Sequence, residues 1–260
     1  MFSAFGMSAT TSEYEYRDIN HLTAMQDREL GCFAADRTRS PYIIFLKVPA
    51  KILQAPLIPF ESYFLHDQVL IIKMESRAHA TANEEFAQLF NKKLEEMGGL
   101  DEKLRKLGTA HFEGHERLKR ADKTYLPKRL PKGRSRQWPT LILEVGYSAS
   151  RQKLTNDVQW WQSESQGDVQ IILTVDINQK RREIIFEKWA STGQESIYRT
   201  VISKDTSQTS IRATNQDPLI IDFNGLFLRD PDGPIEGDIL FRLDDLKKLA
   251  ASIWEEQFEE

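Results

Sequence analysis

Two acids sit in runs that otherwise read as interior strand. Glu144 closes the apolar series Leu141-Ile142-Leu143 within "WPTLILEVGYSASRQKL" (138–154), and Asp122 stands inside "RADKTYL" (120–126), twenty-two residues earlier. In α/β proteins, ligand and catalytic groups gather at strand ends, where side chains can leave the sheet. If the two strands are neighbours the carboxylates meet, and two carboxylates repel unless a cation lies between them. Their hard oxygens suit Mg²⁺ or Mn²⁺. A metal held that way polarises a phosphodiester and activates a water. Lys153, early in the segment after Glu144, is placed to orient that water or to neutralise the developing charge.

Charge around these acids is uneven. From Leu118 to Arg136 eight bases (Lys119, Arg120, Lys123, Lys128, Arg129, Lys132, Arg134, Arg136) face one acid, Asp122. From Asp230 to Glu260 ten acids face three bases. The net charge of −4 excludes a generally basic nucleic-acid coat. The belt, and Lys128, Arg129, Lys132, Arg134 and Arg136 above all, remains a candidate contact for a phosphate backbone.

The elements that must position these groups follow from period and punctuation. "ESYFLHDQVLIIKM" (61–74) predicts a hairpin around His66-Asp67. Phe86, Leu89, Phe90, Leu94 and Met97 recur at three and four residues, predicting a helix over about 78–97 that Gly98-Gly99 ends. Strands are expected at 108–115, 120–126 and 139–146, and a helix over about 150–162 with Ser150 as N-cap and Leu154, Val158 and Trp161 on its inner face. "DVQIILTVDI" (168–177) and "REIIFEKWA" (182–190) predict a strand pair across the polar turn Asn178–Arg181. A further pair is expected in "DPLIIDFNGLFLRD" (217–230), and an amphipathic helix over about 244–258. Residues 1–40 show no period, and neither does 192–216. The sum is a mixed α/β chain around one central sheet with helices on both faces. Its parts are an irregular N-terminal arm (1–40), a core (41–191) and a C-terminal strand pair and helix packed on it (192–260).

The segment 121–189 resembles the PD-(D/E)XK nuclease superfamily, the restriction-endonuclease-like fold. The likeness is to a branch of bacterial candidate restriction endonucleases and related uncharacterised fungal proteins. The matching pieces are "RADKTYLP", "LILEVGYSAS", "KLTNDVQWW", "GDVQIILTVDI" and "REIIFEKW", with "VLIIKMESRAHATANEEFAQLF" upstream, so the likeness spans roughly 61–190. It implies that Asp122, Glu144 and the Val145 carbonyl hold Mg²⁺ or Mn²⁺, that Lys153 serves as the lysine, and that Glu85 on the first helix assists, with His79 one turn earlier able to approach. It implies a metal-dependent nuclease acting on nucleic acid, with DNA preferred. Two positions depart from the pattern: Ala121 replaces the proline before Asp122, and Gly146 stands where the superfamily usually keeps its lysine. The alternative is therefore an inactive nuclease fold serving as a nucleic-acid-binding or protein-interaction module.

Plainer roles compete at each position. Glu144 can pair with the 128–136 loop, Asp122 with Lys119, Arg120 or Lys123, and Lys153 with Asp157 one turn on. Trp161 continues the core stripe, leaving Trp160 as the one that could stack on a base. Gly-rich phosphate loops, Cys/His metal spacings and nucleophile elbows are absent from the sequence. A lone cysteine, Cys32, fits a reducing compartment. With no apolar run long enough for a membrane span, an intracellular protein, cytoplasmic or nuclear, is expected. The acidic C-terminal helix is expected to cover the sheet or a neighbouring subunit, which leaves a homodimer open.

Overall fold

The computed structural model describes residues 5–8, 10–54, 60–108, 110–147, 151–205 and 211–258. Its first unit is β1 (Ser12–Glu15), α1 (Ile19–Ala35) and β2 (Tyr42–Leu46), with β1 and β2 paired in parallel. This corrects the expectation of an irregular arm. The helix escapes a period search because its apolar residues do not form one stripe: Leu22 and Phe33 are buried, while Ile19 and Leu30 are exposed. Asp18 caps it, accepting from the His21 N–H at 2.8 Å.

β3 (Ser62–Phe64) and β4 (Val69–Lys73) form the expected hairpin. Ser76 caps α2 (Arg77–Glu96), and Gly98 and Gly99, at φ 80° and 77°, let the chain turn away where a side chain would be strained. Next come β5 (Leu104–Lys106), β6 (His111–Glu113), β7 (Arg117–Arg120) and β8 (Lys123–Pro127). The strand expected at 120–126 is thus divided: β7 lies in one sheet and β8 in another, and the chain crosses between them at Ala121-Asp122.

β9 (Leu141–Tyr147), α3 (Gln152–Ser165) and β10 (Ile171–Ile177) make a parallel crossover, and β11 (Glu183–Trp189) returns antiparallel. The N-cap expected at Ser150 lies outside the described residues. β12 (Ser196–Ser203) and β13 (Arg212–Ala213) extend the sheet through the stretch that carried no sequence period. The pair expected in 217–230 is one strand, β14 (Leu219–Ile221), followed by the helical turn α4 (Phe223–Phe227). Phe223, Leu226 and Phe227 are spaced to share one helical face, and all three are buried. β14 instead pairs with the distant β15 (Ile239–Phe241), after which α5 (Leu243–Phe258) closes the chain.

Two large mixed sheets result where one was expected, in the orders β1-β2-β4-β3-β7-β6 and β13-β12-β11-β10-β9-β8-β5. The fold is mixed α/β, with helices on both faces of the seven-stranded sheet. On one face α2, α5 and β15 pack through Phe86, Phe90, Phe241 and Tyr125, with Phe86–Phe241 and Phe90–Tyr125 centroids both at 4.8 Å. On the other, α3 seats Trp161 against Phe112 and Trp138. Among the described residues no helix is long and apolar enough to cross a membrane.

Candidate active site

Asp122 occupies the crossing between the sheets. The Val145 N–H donates to its Oδ2 at 2.7 Å, so Asp122, just before β8, is held against β9 next to Glu144. The ammonium that meets Asp122 comes from the other sheet. Lys73, the last residue of β4, donates to Asp122 Oδ1 at 3.1 Å and Oδ2 at 2.9 Å, and to the Val145 carbonyl at 2.8 Å. His79 Nε2 lies 3.2 Å from Asp122 Oδ1. Burial pushes the Asp122 carboxyl up, but Lys73, His79 and the Val145 N–H together hold it far below the ordinary carboxylate range.

Glu144 sits mid-strand in β9, not at a strand end, and is 3 % exposed. It takes a hydrogen bond from Trp161 Nε1 at 2.7 Å and an ion pair from Lys119 at 3.1 Å, both on Oε1. Burial pushes its carboxyl up to about 7 against the pull of Lys119, with Asp122 and Asp157 adding to the rise. Lys119, fully buried on β7, also contacts Glu61 and lies 3.1 Å from Asp157.

Lys153 joins this second group and not Asp122: it donates to Glu61 at 2.9 Å and pairs with Asp157 one turn on. That i,i+4 pair is buried, where an exposed one is the ordinary outcome. Arg117 completes the set, donating to Asp157 Oδ1 at 2.7 Å and to Ser62. Three acids (Glu61, Glu144, Asp157) therefore oppose three bases (Arg117, Lys119, Lys153) in a buried ionic core, with the Asp122–Lys73 pair at its edge. Burial pushes Glu61 up, yet the three cations hold it well below its usual value; burial drives Lys153 down despite its two acids.

A cleft of about 320 Å³ opens over Asp122 and Lys73, bounded by Glu61, Asn83, Arg120 and Lys123. Glu61 Oε2 and Asn83 Oδ1, both buried, have no hydrogen-bond partner among the described residues. The α2 acid at this cleft is Glu84, bonded to Lys123 at 2.6 Å. Glu85 is half-buried, outside the cleft lining, and makes no ion pair among the described residues. Helical phase is the reason: one residue turns the side chain by about 100°.

Gly146 has a local cause. A Cβ there would meet Asp176 Oδ1 of β10 at 3.2 Å and Leu154 Cδ2 of α3 at 3.3 Å, so a side chain fits only if these two side-chain ends give by a few tenths of an ångström. Burial pushes Asp176 itself up to about 6, although Arg151 lies 3.5 Å away.

Of the basic belt, Arg120 and Lys123 border the cleft over Asp122, and the loop bases do not. Lys119 is buried, Arg120 lies 4.2 Å over the Phe60 ring, and Lys123 is bound to Glu84. Lys128 follows the far end of β8; six steps of about 3.3 Å place it roughly 20 Å from Asp122. Arg134 is committed to the loop's own architecture, donating to Asp168 Oδ2 at 2.9 Å and to the Asp168 and Trp138 carbonyls. Lys128, Arg129, Lys132 and Arg136 are exposed and make no ion pair among the described residues. Arg105 and Lys106 on the edge strand β5 are exposed too, so bases line the edge between the cleft, which Gly108 borders, and the loop.

Sequence reasoning missed Lys73, Glu61, Arg117, Lys119 and Asp157 as one group. Arg117 and Lys119 did carry a signal, two bases at period two flanking Leu118, which puts both on one strand face. Nothing local showed that this face points inward.

The donors present do not compose a Mg²⁺ or Mn²⁺ site. Both oxygens of Asp122 and the Val145 carbonyl are bonded to an ammonium, and Glu144 is bonded to Lys119 and Trp161. Among the described residues no three His, Cys, Asp or Glu side chains are placed to hold a metal ion.

No protein-family model matches the chain, and no curated protein matches it. Among solved structures, it is similar to a candidate nuclease of the DUF820 family from Anabaena variabilis. That similarity covers 76 % of this chain and 96 % of the other, at 12 % identity and a TM-score of 0.44. A likeness at that level transfers no residue role.

Proposed function

We propose that this chain is a restriction-endonuclease-like protein that binds nucleic acid, DNA first among candidates, without cutting it through a metal at Asp122 and Glu144. One observation carries the reading: the Lys73 ammonium lies on both Asp122 oxygens and on the Val145 carbonyl, the set to which the sequence resemblance assigns the metal. Glu144, the other assigned ligand, is neutralised by Lys119 and directed into the ionic core. A divalent cation there would be repelled by the Lys73 and Lys119 ammonium groups.

Binding is assigned to the exposed bases Lys128, Arg129, Lys132 and Arg136, continued along β5 by Arg105 and Lys106. Their charge is local in a chain of net −4, so the acidic C-terminal helix is expected to face away from a bound backbone. Metal-dependent phosphodiester hydrolysis is the second reading, favoured by the unpartnered oxygens of Glu61 and Asn83 in the cleft, and it requires Lys73 to withdraw.

Two assays decide between them. Fluorescence anisotropy with single- and double-stranded DNA is expected to show salt-dependent binding, weakened when Lys128, Arg129, Lys132 and Arg136 are changed to Ser. Supercoiled DNA with Mg²⁺ or Mn²⁺ is expected to stay intact. Metal-dependent nicking by wild type that disappears in folded Asp122→Ala and Glu144→Ala variants sinks the non-cutting reading in favour of the second.

A further inference from the structure

We infer that Lys73 is a built-in counter-cation that takes the place of a divalent ion at the Asp122 centre, and that its removal converts this place into a divalent-cation site. The inference deepens the reading above and rests on it in one respect, that the wild-type centre holds no metal.

An ammonium has three donors and no acceptor. Those of Lys73 meet Asp122 Oδ1 at 3.1 Å, Asp122 Oδ2 at 2.9 Å and the Val145 carbonyl at 2.8 Å, all oxygens of the hard type that Mg²⁺ and Mn²⁺ take. The ion pair is nearly dry, with both side chains 11 % exposed. Lys73 reaches it because β4 ends beside the chain crossing, Tyr42 opposite Lys73 fixing the register. Asp122 is the acceptor and Lys73 a full compensating charge, so within this corner the acid is neutralised without an ion from solution.

A second observation points the same way. The cleft over this pair carries two buried oxygens, Glu61 Oε2 and Asn83 Oδ1, with no partner among the described residues. Buried acceptors left unsatisfied cost free energy, and ordered water or a hydrated cation satisfies them. With Lys73 shortened, Asp122 becomes a buried carboxylate left, among the described residues, with the His79 ring and the Val145 N–H beside it, while the Val145 carbonyl loses its donor. A buried charge without a partner is the condition under which a site recruits an ion.

The test uses the full chain and Mn²⁺ as probe, read by calorimetry and by the loss of the free-ion electron paramagnetic resonance signal. Wild type, Lys73→Ala, Lys73→Gln and Lys73→Gln with Asp122→Asn are compared, folding being checked by circular dichroism. Wild type is expected to bind Mn²⁺ no better than the double variant. Lys73→Ala or Lys73→Gln is expected to gain one ion at an affinity roughly tenfold or more above wild type, the gain vanishing with Asp122→Asn. Asp122-dependent Mn²⁺ binding by wild type overturns the inference, and so does a folded Lys73 variant that gains none. Should neither variant fold, nuclear magnetic resonance of the wild-type lysine ammonium groups decides. A slowly exchanging Lys73 signal left sharp by Mn²⁺ supports the inference, and one broadened by it refutes it. Absence of nucleic-acid binding by wild type, with the Mn²⁺ gain in place, removes the function proposed above and leaves this inference standing.

Discussion

Lys119 has no contact with solvent, and it meets Glu61, Glu144 and Asp157 at once. Removing one partner of a buried ion pair costs far more than removing the whole pair, because the opposite charges stay buried without compensation. Lys119→Met is therefore expected to destabilise the protein by about 3–5 kcal/mol, read from urea unfolding. A loss below 1 kcal/mol would show that the acids around Lys119 are compensated without it. Glu144 offers a pH test of the same core. Its carboxyl is raised from 4.5 to about 7, so the folded chain holds a proton that the unfolded chain has released. That stability is full below about pH 4.5 and disappears as pH rises through about 7, and Asp176, raised to about 6, adds in the same direction. Asp122, Glu61 and Asp157 are held low, so their share is present above their ordinary values and is lost as pH falls. The share of Glu144 should accordingly fall between about pH 4.5 and 7, and Glu144→Gln should remove on the order of 2 kcal/mol of the fall seen in wild type. Parallel pH profiles of urea midpoint for the two proteins would refute the assignment.

At the scale of elements, the packing of α3 and β10 on β9 is tested at one glycine. Gly146 lies where Leu154 and the Asp176 carboxyl close over the strand. Gly146→Ala is expected to cost about 1–3 kcal/mol through overpacking, measurable as a lowered melting temperature, and an unchanged melting temperature would show that the neighbours can yield. On the opposite face β15 packs against α2, its Phe241 ring stacked 5° from parallel on Phe86. Phe241→Ala is expected to cost about 3–5 kcal/mol by urea unfolding, because the cavity would lie in the main core. A much smaller loss would mean that the residues around Phe241 can close over the gap.

For the molecule as a whole, charge is sorted by position. Bases run along β5 and the 128–136 loop, and acids concentrate after residue 230. If the basic edge meets a nucleic-acid backbone, affinity must fall with salt, and each lost phosphate contact must flatten the logarithmic slope by about 0.7–0.9. Changing Lys128, Arg129 and Lys132 to Ser is thus expected to flatten it by roughly 2–3, with little change in unfolding midpoint because these side chains are exposed and unpaired among the described residues. An unchanged slope would move the interface elsewhere.

Strand, helix and turn were legible wherever an element buries one continuous stripe: the 61–74 hairpin, α2 with its Gly98-Gly99 stop, the β10–β11 pair and α5. Period alone determined these. It also marked Asp122 and Glu144 as acids out of place. Elements whose burial depends on distant partners were not legible. α1 hides three residues, α4 is five residues long, and β14 finds its partner eighteen residues on. Only the tertiary structure decided which cation each acid meets. Asp122 is neutralised by Lys73, forty-nine residues earlier, because β4 ends at the crossing between sheets; Glu144 faces Lys119 because β7 turns two bases inward. Charge pairing is set by through-space distance and local dielectric, and neither is written in a local sequence pattern.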